Sequence, residues 1–124
     1  MWSETIPPEL MSRYRRTARA RQRDHDAETD RHRKIAWTAA REAARVLREE
    51  FGATRVIAFG SLAHGAWFGP RSDIDLGVEG VPPDDFWRAW CTLDRLGTGV
   101  AIDLIAIEAA PAQLRAEIEQ GVAV

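Results

Sequence analysis

Two apolar runs separated by a glycine–serine turn, Val56-Ile57-Ala58-Phe59-Gly60-Ser61 and Ser72-Asp73-Ile74-Asp75-Leu76-Gly77-Val78, decide how this chain of 124 residues is read. The first is β-branched and aromatic, the composition of a strand. The second alternates, with Ile74, Leu76 and Val78 on one side and Asp73, Asp75 and Gly77 on the other. Alternation predicts a strand over 72–79 whose Asp73 and Asp75 share a face, roughly 6.5–7 Å apart at the backbone. The first strand is expected over 54–59, one helical turn over 61–65, and a loop over 66–72 that contains Gly69-Pro70.

Further along, Val100 to Ile107 reads as a third strand and carries Asp103 between Ile102 and Leu104. An acid in an apolar strand is costly unless something pairs with it. Side-by-side pairing of the two acid-bearing strands brings Asp103 within reach of Asp73 and Asp75. Three converging carboxylates repel one another and raise their own pKa values unless a cation neutralises them. Hard oxygen ligands of this kind suit Mg²⁺ or Mn²⁺, which share their coordination with waters and phosphate oxygens. Gly60 lets the backbone come close to a phosphate, and the N–H groups and hydroxyl at Ser61 can hold one. The pattern points to an enzyme that handles a nucleoside triphosphate through divalent cations.

Around this centre the chain alternates helix and strand. Asp84 is placed to cap a helix whose face carries Phe86, Trp87, Trp90, Leu93 and Leu96, with Trp87 and Trp90 read as core. Pro111 opens a short helix to about residue 120. Upstream, Pro7-Pro8 start a helical stretch that Gly52 stops. Its second half has an amphipathic stripe of Ile35, Ala36, Ala39, Ala43, Val46, Leu47 and Phe51. Between Arg15 and Lys34 the only apolar residues are Ala18, Ala20 and Ala27, so this part is expected to project, fray or dock on something else, and a bend or break is expected between Asp24 and Asp30. Arg13, Arg15, Arg16, Arg19, Arg21 and Arg23 fall in eleven residues without an acid, either as a solvated face or as a contact for a protein or nucleic acid.

Composition narrows the chemistry. An apolar fraction of 45% and a charged fraction of 29% describe an ordinary globular domain. No apolar run reaches the length of a membrane span, and the N-terminus lacks a signal-peptide pattern. With one cysteine, Cys91, expected as a packed core thiol, no internal disulfide forms; the three histidines lack zinc spacing, and a cytoplasmic location is expected. Lys34 is the only lysine and no GxxxxGK[ST] loop is present, which excludes P-loop chemistry. Phosphate charge must then be met by arginine, backbone N–H groups or metal. Trp67 and Phe68 admit two readings, stacking on a base or covering the core.

Gly-Ser followed about ten residues later by Asp-x-Asp resembles the DNA polymerase β-like nucleotidyltransferase superfamily, most closely its minimal nucleotidyltransferases of the MntA antitoxin type. The resemblance runs from Val56 to about Glu108. It implies an α/β (α+β) fold with a small mixed sheet flanked by helices, preceded by a long N-terminal helical arm. Residues 51–124 would form the minimal nucleotidyltransferase domain and residues 1–50 a helical extension whose distal part docks a partner, one compact domain overall. Asp73, Asp75 and Asp103 become the metal ligands and catalytic acids, with Asp103 placed to activate the incoming hydroxyl. Gly60 and Ser61 become the phosphate turn. The spacer here is eleven residues, and His64 stands where many relatives have arginine, so His64 and Arg71 are the further phosphate candidates.

The implied reaction is Mg²⁺- or Mn²⁺-dependent transfer of AMP from ATP to a hydroxyl, here a tyrosine of a HEPN-type ribonuclease toxin, which would make this protein the antitoxin. Two alternatives stay open: an antitoxin that neutralises its partner by binding alone, and a nucleotidyltransferase acting on a small molecule. Homo- or hetero-oligomers are both compatible with the chain; direct nucleic-acid binding is less favoured, and no membrane partner is expected.

Overall fold

The computed structural model describes residues 7–65, 69 and 72–124; the readings placed on Trp67, Phe68 and Arg71 lie outside the described residues. A single helix, α1 (Pro8–Phe51), takes up the first third of the chain, with proline in its first turn. It ends where Gly52 adopts φ +73° and the Ala53 N–H returns to the Leu47 carbonyl at 3.0 Å. The break that could fall between Asp24 and Asp30 is absent: the helix runs through it without interruption. That segment has neither glycine nor proline, and a Gln22–Asp26 side-chain hydrogen bond of 3.0 Å spans its start.

Only the second half of α1 meets the rest of the molecule. Ala36, Ala39, Ala40, Ala43, Ala44, Val46, Leu47 and Phe51 are buried, whereas residues 12–28 are exposed throughout. Ile35, expected in the apolar stripe, is 50% exposed: it sits one step round the helix from Ala36, and the part of the stripe that packs beside it, from Ala36 to Ala44, is alanine, which lets the helix approach closely. The elements that follow are β1 (Arg55–Phe59), α2 (Ser61–His64), β2 (Ile74–Glu79), α3 (Pro83–Asp94), β3 (Ile102–Ala106), a 3₁₀ turn (Ile107–Ala109), α4 (Ala112–Glu119) and β4 (Val122–Ala123). The short β4 was not expected, because two residues carry no periodicity to read.

The four strands form one mixed sheet in the order β3-β2-β1-β4. β1 pairs antiparallel with β2 and with β4, while β2 and β3 run parallel, joined by the α3 crossover. Alternation sorts the side chains as the sequence predicts. Val56, Ala58, Ile74, Leu76, Val78, Ile102 and Leu104 enter the main core beneath α1 and α3. On the other face Ile57 and Phe59 join Ile107, Ala110 and Ile118 in a smaller cluster under α4. A Cβ on Gly77 would stand 2.8 Å from Ile118 Cγ2 and 3.2 Å from Ile107 Cγ1, so the glycine is what lets this cluster close over β2.

Three expectations about α3 are corrected. Pro82, not Asp84, occupies the cap position, and Asp84 lies in the first turn. Trp87 is 71% exposed, since the core side of α3 is taken by Ala89 and Leu93. Trp90, in keeping with its reading as a core residue, packs partly buried against the main cluster, and its Nε1 donates to the Ile102 carbonyl at 3.1 Å. Cys91 is only partly buried. Among the described residues no helix is long and apolar enough to cross a membrane.

Candidate active site

Asp75 is the centre of the site. Its Cα partners are Phe59 in β1 and Asp103 in β3. Parallel neighbours in register carry side chains on the same face, so Asp75 and Asp103 stand side by side on strands about 4.8 Å apart. Asp73 precedes β2 by one residue, two positions from Asp75. Asp73 and Asp103 are exposed and Asp75 is half-buried, although Ile102 and Leu104 on either side of Asp103 are buried. The acids therefore occupy the part of the sheet face that α4 leaves uncovered.

Burial pushes the Asp75 carboxyl above the ordinary aspartate range, and the charges of Asp103, Asp73 and Glu117 push it further. Glu117, on α4, is an acid the sequence reading did not find; a glutamate on a short terminal helix belongs to no spacing pattern. Among the described residues none of these four carboxylates takes part in an ion pair. The arginines that do pair lie elsewhere, as where Arg55 bridges Glu79 at 3.3 Å and Glu119 at 2.5 Å.

The glycine–serine turn is built against this acid. Gly60 has φ +70°, and a Cβ there would lie 2.5 Å from Asp75 Oδ2. Only glycine meets both demands. Ser61 begins α2, whose single turn is closed by His64 N–H to the Gly60 carbonyl at 3.1 Å and Gly65 N–H to the Ser61 carbonyl at 2.9 Å. Leu62, 2% exposed, anchors the turn in the main core. The His64 side chain is exposed. Two neighbours from α1 went unseen in the sequence: Arg33 Nη2 donates to the Gly65 carbonyl at 2.5 Å, and His32 Nε2 lies 3.5 Å from the Ser72 carbonyl.

A divalent cation fits the chemistry of this donor set: hard carboxylate oxygens whose mutual repulsion no described cation offsets. Their geometry is looser. Among the described residues no three His, Cys, Asp or Glu side chains are gathered closely enough to hold a metal ion. The carboxylates are near enough to perturb Asp75 but do not converge on one point. Carboxylate side chains re-orient about χ1 and χ2, whereas the pairing that brings their backbones together is set by the sheet. The acids also line open surface. A cavity of about 700 Å³ at the far end of β3, bordered by Phe86, Trp90, Leu104 and Leu114, includes none of them.

Comparison with known proteins identifies the fold and the family. A protein described as a minimal nucleotidyltransferase superposes with a TM-score of 0.56 at 32% identity, covering 71% of this chain and 90% of the other. A toxin–antitoxin crystal structure with AMP-PNP shares the fold with a TM-score of 0.58 at 20% identity, covering 68% of this chain and 70% of the other. No curated protein matches the chain. The family model of the nucleotidyltransferase domain matches residues 40–122, a span that holds the Gly-Ser turn and all three aspartates. With its fold and its sequence in agreement, this chain belongs to the nucleotidyltransferase domain family.

Proposed function

We propose that this protein is a metal-dependent nucleotidyltransferase that moves AMP from ATP to a hydroxyl, and that the acceptor is a tyrosine of a HEPN-type ribonuclease toxin for which it serves as antitoxin. The observation that carries the reading is the triple juxtaposition at Asp75: Asp103 is its register partner, Gly60 is packed on its carboxylate, and burial together with neighbouring like charges raises its proton affinity. The toxin–antitoxin structure with AMP-PNP that shares this fold supports the choice of nucleotide and of partner class.

In this reading the Gly60 and Ser61 backbone, with the serine hydroxyl, His64 and Arg71, receives the triphosphate. The acceptor oxygen attacks the α-phosphorus, the bond from that phosphorus to the bridging oxygen of the β-phosphate breaks, and pyrophosphate leaves. Asp103 orients the acceptor hydroxyl and takes its proton. Asp73, Asp75 and Asp103 would hold the divalent ion, which supplies charge neutralisation at the phosphates and acidifies the hydroxyl. Residues 51–124 carry the chemistry. The exposed first half of α1 docks the partner, where the six arginines from Arg13 to Arg23 make no ion pair among the described residues.

Incubation with α-labelled ATP, Mg²⁺ and the toxin tests this. Label should appear on the toxin and disappear with Asp73→Asn or Asp75→Asn. Tight binding without label, unaffected by either change, would instead establish neutralisation by binding; label on a small acceptor would establish a small-molecule transferase.

A further inference from the structure

One turn of helix does not hold itself in place, because so short a segment gains too few hydrogen bonds to offset the cost of ordering it. α2 has two backbone bonds of its own and needs anchors at both ends. Leu62 anchors it in the core. At the other end stands Arg33 of α1, whose Nη2 donates to the Gly65 carbonyl at 2.5 Å. The last carbonyls of a helix lack intrahelical partners and carry partial negative charge, and a guanidinium answers both.

The placement of Arg33 is not that of a solvated surface arginine. Its side chain is 33% exposed, and its Nε is buried without a hydrogen-bond partner among the described residues. A buried unpaired donor is unfavourable, so another contact must hold the side chain in. Asp30, at 3.8 Å and 68% exposed, is too distant and too solvated to do so. Among the described residues the Gly65 carbonyl remains. The adjacent residue, His32, lies with Nε2 3.5 Å from the carbonyl of Ser72, immediately before Asp73. Two consecutive residues of one unbroken helix thus touch the end of the turn that begins at Gly60 and the approach to Asp73.

We propose that Arg33 is a positioning residue of the active site. By holding the Gly65 carbonyl it fixes the turn that begins at Gly60, and with it the seating of Gly60 on the Asp75 carboxylate. It touches neither substrate nor reacting atoms. Its consequence for catalysis rests on the nucleotidyl-transfer reading above; its consequence for the turn does not.

The test compares Arg33→Ala and Arg33→Lys with Arg45→Ala, which removes a surface arginine from the same helix. Amide hydrogen exchange at His64 and Gly65, measured without nucleotide or metal, should rise about tenfold in Arg33→Ala and stay unchanged in Arg45→Ala. Toxin labelling should show the KM for ATP raised about tenfold in Arg33→Ala with kcat within about threefold, and Arg33→Lys should recover part of both effects because an ammonium makes one such bond but not the fork. Unchanged exchange and unchanged KM in Arg33→Ala would overturn the proposal. So would a loss of protection spread over the whole sheet, which would mark Arg33 as a general structural residue. Faster exchange confined to the turn, in a protein whose wild type transfers no nucleotide, would uphold the anchoring of α2 and reject the nucleotidyl-transfer reading alone.

Discussion

Gly60 rests on Asp75: the space a side chain would need at position 60 is filled by the Asp75 carboxylate, 2.5 Å from where the Cβ would be. The turn that begins at Gly60 is thus packed directly on the strand that carries Asp75.

Gly60→Ala should therefore damage the site more than the fold. The positive φ alone costs about 1–2 kcal/mol for a residue with a Cβ, and the contact with the carboxylate adds to it. We expect a lowered thermal midpoint with native circular dichroism and nucleotidyl transfer reduced by at least about a hundredfold. A Gly60→Ala protein with wild-type activity would mean that the turn and Asp75 work independently.

Asp75 makes stability depend on pH in a defined direction. Its folded-state pKa is raised above the ordinary aspartate value of about 3.9 by burial and by its acidic neighbours. The folded protein then binds the proton more tightly than the unfolded chain, so metal-free stability falls as pH rises from about 3.9 through the raised value. Asp75→Asn should flatten that part of the profile and raise the thermal midpoint of the metal-free protein at neutral pH. Mg²⁺ should stabilise the wild type and leave the Asp75→Asn protein unmoved.

Gly77→Ala should loosen α4. A methyl group there meets Ile118 and Ile107 in a closed cluster, and overpacking of this kind costs about 1–3 kcal/mol. Urea denaturation would show a lower midpoint with an unchanged slope, and Gly52→Ala, whose Cβ would meet nothing within 4 Å among the described residues but whose positive φ adds strain of its own, bounds the effect of strain alone.

Removal of residues 1–28 should leave the domain folded, since the buried residues of α1 begin at Ala36. The thermal midpoint should change by no more than about 3 °C. Binding to the proposed toxin partner should weaken, and its sensitivity to salt should decline because six arginines are gone. Binding that keeps its affinity and salt dependence would place the docking surface on the domain itself.

Much of this was legible along the chain because it depends on local periodicity. The alternation from Asp73 to Val78 placed Asp75 and Gly77 opposite Ile74, Leu76 and Val78, and the two packing clusters sort β2 that way. Where reading failed, a non-local contact decided. Ile35 and Trp87 look like core residues by type, but the packed face of α1 is mostly alanine with Val46, Leu47 and Phe51, and that of α3 carries Ala89 and Leu93 with Phe86 and Trp90 alongside. The bend expected near Asp24 to Asp30 came from scarce apolar residues, which bear on whether a helix packs rather than on whether it continues. Arg33 and Glu117 belong to no motif, because each reaches the site from a helix distant in sequence.

By itself the sequence determined the kinds of element, which face of β2 carries the acids, and the donors a phosphate and a divalent cation would need, all consequences of the two-residue repeat of a strand and of side-chain chemistry. The tertiary structure alone decided that β2 runs parallel to β3 in the register that sets Asp75 beside Asp103, that Gly60 closes on Asp75, and that α1 reaches across to Gly65. Register between strands and the packing of a helix on a distant turn arise from burying two faces of one sheet together, and no local pattern encodes that balance.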